Sequence, residues 1–128
     1  GAIKVTSGAK TTSITGGTGD DTISIAALVY NSTGTVNGGD GTDTLSIADA
    51  TATLFTTAAK ANISNFEVLD VTGSTAGDTI DFDAIDSFTA LSLGANTNVT
   101  VTDLADNATV TVTATQTTDV ELGVKKLN

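Results

Sequence analysis

The chain has 128 residues, a net charge of −10 and a pI near 4.1, with 39% apolar and 4% aromatic residues. It contains no His, Cys, Pro, Met or Trp; this excludes disulfides and removes the nitrogen and sulfur ligands that Zn, Cu and Fe sites favour. So acidic a surface repels nucleic-acid phosphates and anionic membranes, and no run approaches the roughly 18 apolar residues of a membrane span.

The length predicts one domain over 1–128 with a modest core. The β-branched content favours order over the disorder that high charge alone would suggest. No basic segment followed by an apolar one opens the chain, so no Sec-type signal is visible.

Residues 2–6 alternate and read as an edge strand or a cut end. From Gly16 the chain carries GGTGDDTIS, and from Gly38 GGDGTDTLS. Both place two glycines, a third Gly, an Asp and an apolar residue at the same offsets: Gly16, Gly17, Gly19, Asp21 and Ile23, then Gly38, Gly39, Gly41, Asp43 and Leu45. Gly lets the backbone take positive φ in the turn. The Asp can fold back over that turn, and the alternation that follows reads as a strand. Repeats of this form mark parallel β-helices that bind Ca²⁺. A third copy from Gly73, GSTAGDTID, keeps Asp78 and Ile80 but has Ser74 and Ala76 in two glycine places.

Apolar pairs recur along the chain: Ile23/Ile25, Leu45/Ile47, Leu69/Val71 with Val68, Ile80/Phe82, Leu91/Leu93, Val99/Val101, Val110/Val112 and Val120/Leu122. Their steps fit one ladder in which about 22 residues, made of two short strands, form each coil. Parallel strands one coil apart would stack about 4.8 Å from one another, with Val and Ile inside and Thr and Ser outside. Two segments interrupt the ladder. Residues 26–30 form an apolar run that fits either a strand or a helical turn. Residues 51–66 are Ala-rich with roughly helical spacing and predict a short helix or loop insert near 51–64. The fold class expected is therefore all-β, a parallel β-solenoid of β-roll or β-helix type. Neither end shows a cap, so the chain reads as an excerpt of a longer protein.

A 22-residue coil places the two Gly-rich turns one above the other. Asp21 then lies near Asp43, with Asp20 and Asp40 crowding the same edge, and such a stack should splay without a cation. Ca²⁺, which takes six to eight oxygens from carboxylates and carbonyls, is the cofactor expected. Its candidate ligand set is Gly17, Gly19, Asp20 and Asp21 from the first turn, and Gly39, Asp40, Gly41 and Asp43 from the second, with Asp78 a weaker third position. The competing reading is that GG and DG are only turn residues. Asp81, Asp83 and Asp86 read as solvent-facing strand residues, Asp103, Asp106, Asp119 and Glu121 as surface charge, and Glu67 as having a local role.

GGTGDDTIS and GGDGTDTLS resemble the nonapeptides of RTX proteins. Together with ISNFEVLDVTG and NATVTVTAT, they make residues 15–122 similar to the β-solenoid part of bacterial RTX-type surface-layer proteins. That resemblance implies type I secretion, Ca²⁺-dependent folding outside the cell and self-association into a two-dimensional lattice through the parent protein, with cell-surface polysaccharide a partner of its other parts. The alternative is an adhesin or ligand-binding segment of a large RTX surface protein, its open Thr faces contacting sugar or protein. Ice binding by the 99–113 Val-Thr alternation is opposed by its Asn and Asp interruptions. An enzyme built on Asp81, Asp83 and Asp86 is opposed by the lack of His, Cys and Arg. The chain is therefore read as non-enzymatic.

Overall fold

The computed structural model describes residues 2–6, 13–25, 34–47, 62–73, 79–82, 88–95, 99–113 and 120–124. Among these the chain forms strands and no helix. The strands are β1 Lys4–Thr6, β2 Ser13–Thr18, β3 Thr22–Ile25, β4 Thr35–Asp40, β5 Thr44–Ile47, β6 Ile63–Ser64, β7 Val68–Gly73, β8 Thr79–Asp81, β9 Ala90–Ala95, β10 Val99–Leu104, β11 Thr109–Val112 and β12 Val120–Val124.

Three parallel sheets result. The largest has the order β1-β3-β5-β7-β9-β11, and the smaller two are β2-β4-β6 and β12-β10-β8. A parallel pair cannot be joined by a tight hairpin. Here each return to the large sheet from β3 to β11 passes through one strand of a smaller sheet. The return takes between 18 and 24 residues. Lys4 pairs with Thr22, Thr22 with Thr44, Thr44 with Val68, Val68 with Ala90 and Ala90 with Thr109. The 22-residue step expected between the Gly-rich turns is the step observed: Gly17 pairs with Gly39 and Ile23 with Leu45.

Alternation along each strand decides which side chains meet. Ile23, Leu45, Leu69 and Leu91 form one buried column of the large sheet, and Ile25, Ile47, Val71 and Leu93 the next. Val36 and Ile63 enter from the β2-β4-β6 sheet. Ile80, Val101 and Leu104 enter from the β12-β10-β8 sheet, and all belong to one apolar cluster. Phe82 and Phe88 fill it between β8 and β9, their rings 5.6 Å apart and tilted by 47°. Each fully buried Ile or Leu contributes about 1.5–3 kcal/mol, so the columns are the main source of stability.

The insert expected near 51–64 is corrected at its end. Ile63 and Ser64 are a strand that pairs with Val36 and Asn37, and Ile63 is buried. Ile63 is placed by its apolar partner Val36. Residues 51–61 and the 26–30 run lie outside the described residues. In β10 the register shifts between Val101 and Leu104, where Asp103 has φ 55°. This irregularity turns both Val101 and Leu104 inward and breaks the expected alternation.

Candidate metal centre

The two Gly-rich turns are stacked. Gly17 and Gly39 have φ of 118° and 111°, Gly19 and Gly41 117° and 141°, a region closed to most side chains. The turns also bond to each other: the Gly19 N–H donates to the Asp40 carbonyl at 2.7 Å, and the Thr42 N–H to Asp20 Oδ1 at 2.8 Å. The side chains of Asp20 and Asp40 are exposed. Asp20 thus works as a strut to the next turn.

Asp21 and Asp43 are different. They are 1% and 0% exposed, the buried polar residues among the described ones. Burying an ionised carboxylate is costly unless its oxygens are satisfied. Each is satisfied by half. Asp43 Oδ1 accepts the Asp21 N–H at 2.8 Å, and Asp21 Oδ1 accepts the Ile3 N–H at 2.7 Å. Oδ2 of both residues is buried with no hydrogen-bond partner.

A third acid completes the row. Glu67 Oε2 accepts the Asp43 N–H at 2.8 Å, and Thr44 pairing with Val68 puts Glu67 where Asp43 stands one repeat earlier. The role of Glu67 is therefore not merely local, which corrects the sequence reading. It ends a ladder in which each acid holds the backbone N–H of the preceding repeat. The next turn in this row is Ser64–Glu67. Asn65, with φ 58°, takes the left-handed conformation that Asn tolerates, and the single residue Phe66 stands between it and Glu67. Its side-chain amide also donates to Asn37 Oδ1 at 3.0 Å. A signal for this turn was present. An acid stands two residues before the first inward apolar residue in all three turns: Asp21 and Ile23, Asp43 and Leu45, Glu67 and Leu69.

Glycine is needed beside each buried acid for space as well as conformation. A Cβ on Gly16 would collide with the Gly38 carbonyl oxygen and with Asp21 Oδ2. A Cβ on Gly38 would collide with the Asn65 carbonyl oxygen and stand 2.7 Å from Asp43 Oδ2. Each orphaned carboxylate oxygen thus lies, with a main-chain carbonyl oxygen, close against a glycine that no other residue could replace.

Two electron-rich oxygens close against one glycine fit a hard cation, and the chain offers no softer donors. The fit has a limit: among the described residues no group of three or more His, Cys, Asp or Glu gathers to hold a metal. A cation here would draw mainly on Asp21, Asp43 and main-chain carbonyls. Asp78 lies outside the described residues, as do Asp83, Asp86 and Asp119. Asp81 is half-buried in β8 and Asp106 is exposed. Asp70, unremarked in the sequence, accepts a hydrogen bond from the Ser46 hydroxyl at 3.0 Å on the outer face of the large sheet.

No family model, curated protein or solved structure matches this chain. No helix among the described residues is long and apolar enough to cross a membrane.

Proposed function

We propose that this chain is a structural, non-enzymatic module of β-solenoid architecture, stabilised by Ca²⁺ at its stacked Gly-Asp turns and serving in a secreted bacterial surface-layer protein of RTX type. The observation that carries the metal reading is the pair of buried, half-satisfied carboxylates, Asp21 and Asp43, each lying with a carbonyl close against a glycine. The solenoid reading is supported by the in-register return of parallel strands and the continuous apolar columns. Calcium is favoured over Mg²⁺ because it accepts carbonyl-rich, irregular oxygen sets and gives up its water more readily.

Such a site couples folding to the medium. Extracellular Ca²⁺ modules bind at about 10⁻⁴–10⁻³ M, so the chain would stay loosely folded during type I export and tighten outside the cell, where self-association follows. The adhesin reading rests on the Thr- and Ser-bearing outer face of the large sheet. Limited trypsin digestion in EGTA and in millimolar Ca²⁺, with sedimentation velocity in the same buffers, tests the proposal. Calcium-specific protection with self-association is expected. Protection without association, together with glycan binding, would transfer the assignment to the adhesin. Identical digestion in both buffers would remove the calcium role.

A further inference from the structure

We propose that Asn37–Gly38 is a site of spontaneous deamidation that the paired strand β4 holds closed, and that its isoaspartyl product keeps an unfolded chain from re-forming the stacked turns. The proposal does not rest on calcium binding.

Asn37 is the one asparagine of the chain followed by glycine. The reaction is intramolecular. The Gly38 backbone nitrogen attacks Asn37 Cγ and gives up its proton to solvent; the new N–Cγ bond replaces the Cγ–Nδ2 bond, and ammonia leaves. Water then opens the succinimide at either of its carbonyls, giving aspartate in one case and isoaspartate in the other. Glycine favours the first step because no side chain crowds the attacking nitrogen and the backbone turns freely. The fold cannot dispense with this glycine. A Cβ on Gly38 would collide with the Asn65 carbonyl oxygen and stand 2.7 Å from Asp43 Oδ2. The adjacent repeats escape the reaction, since the residues in register with Asn37 are Thr15 and Ser64.

The folded chain opposes ring closure. Strand β4 lies between β2 and β6, and Asn37 pairs with Thr15 on one side and Ser64 on the other. Its backbone is therefore held extended. Its side-chain carbonyl accepts the Asn65 amide N–H at 3.0 Å, which holds the amide as well. Both must be released before the Gly38 nitrogen can close on Cγ, so the rate follows local opening of β4. The two products then differ. The aspartyl product leaves the main chain unaltered and keeps an oxygen for the Asn65 amide. Isoaspartate routes the main chain through the side-chain carbon and lengthens it by an atom. The pairs Thr15 with residue 37 and Gly17 with Gly39 cannot then both be kept, and these pairs stack the two turns.

The test is incubation at mildly alkaline pH, in urea and in millimolar Ca²⁺, with the strand signal checked by circular dichroism in each. Peptide mapping with isoaspartyl-methyltransferase labelling reads the products. In urea Asn37 should deamidate ahead of every other asparagine. In the folded chain it should react more slowly by at least about tenfold, the factor that 1.4 kcal/mol of opening free energy supplies. On removal of urea, the strand signal should return in proportion to the chains free of isoaspartate. Asn37→Thr, which takes the residue of the preceding repeat, should recover in full after the same incubation. Equal rates in the two solutions, no lead for Asn37 in urea, or full refolding of isoaspartyl chains would each overturn the proposal. Should Asn37→Thr not fold, the two rates and the refolding of separated isoaspartyl chains still decide. A strand signal indifferent to calcium would remove the calcium reading and leave this test unchanged.

Discussion

Replacing Asp43 by Asn should change the sign of its effect with calcium. Asn keeps an oxygen in the Oδ1 place to accept the buried Asp21 N–H, now made at 2.8 Å. Its amide nitrogen takes the Oδ2 place, where the carboxylate oxygen has no partner and the Asn65 carbonyl lies against the same glycine, Gly38. A buried unsatisfied polar group costs about 1–3 kcal/mol, more when charged. In EGTA, Asp43→Asn should therefore stabilise the chain by about 1 kcal/mol or more, a rise of a few degrees in Tm for a domain of this size. In calcium the order inverts. An ion at a hundred times its Kd adds roughly 2.7 kcal/mol to the native state, and the variant forfeits the share held by Asp43. Thermal melts of both proteins, each in EGTA and in calcium, measure the crossing. Equal destabilisation by Asp43→Asn in both buffers would refute the reasoning, because it would mean that the charge supports the fold without a cation.

Three further outcomes are expected. Glu67→Ala leaves the Asp43 N–H without its acceptor and should cost about 1–3 kcal/mol in EGTA as well as in calcium; urea midpoints in the two buffers check this. Gly38→Ala drives a methyl into the Asn65 carbonyl and towards Asp43 Oδ2; it should destabilise by at least about 1–3 kcal/mol and weaken calcium binding, whereas alanine at the exposed Thr42 should change stability by at most about 0.5 kcal/mol. Leu69→Ala in the centre of the apolar column should cost about 2–5 kcal/mol, while Val112→Ala, at a residue 52% exposed on the edge strand β11, should stay within about 1 kcal/mol. Chemical denaturation of the pair shows whether the column carries stability.

The alternating pairs Ile23/Ile25, Leu45/Ile47 and Leu91/Leu93 were legible because period two and burial on one face leave the same mark on a sequence. The 22-residue step was legible because two glycine-rich turns repeat it, and glycine is the residue that positive φ selects. The third turn was not recognised because Asn65 reaches the same backbone region with a side chain, and Glu67 performs with a longer acid what Asp43 does. The Gly73 copy keeps more of the nonapeptide's letters, and its residues 74–78 lie outside the described ones. The directions of the Asp21 and Asp43 carboxylates, each towards the preceding repeat, were also hidden. Spacing gives proximity, but only the backbone shows that half of each acid is already occupied. Ile63 is not legible as a strand because two residues are too few to show alternation and its partner lies 27 residues earlier.

The most direct test is thermal unfolding followed by circular dichroism, first in EGTA and then with calcium raised from micromolar to ten millimolar, with magnesium as control. A strand signal that gains ten degrees or more at millimolar calcium and not with magnesium is the predicted result. A melt indifferent to calcium would contradict the account. It would leave Asp21, Asp43 and Glu67 as a ladder of backbone caps, and the Gly-Asp turns as turns alone.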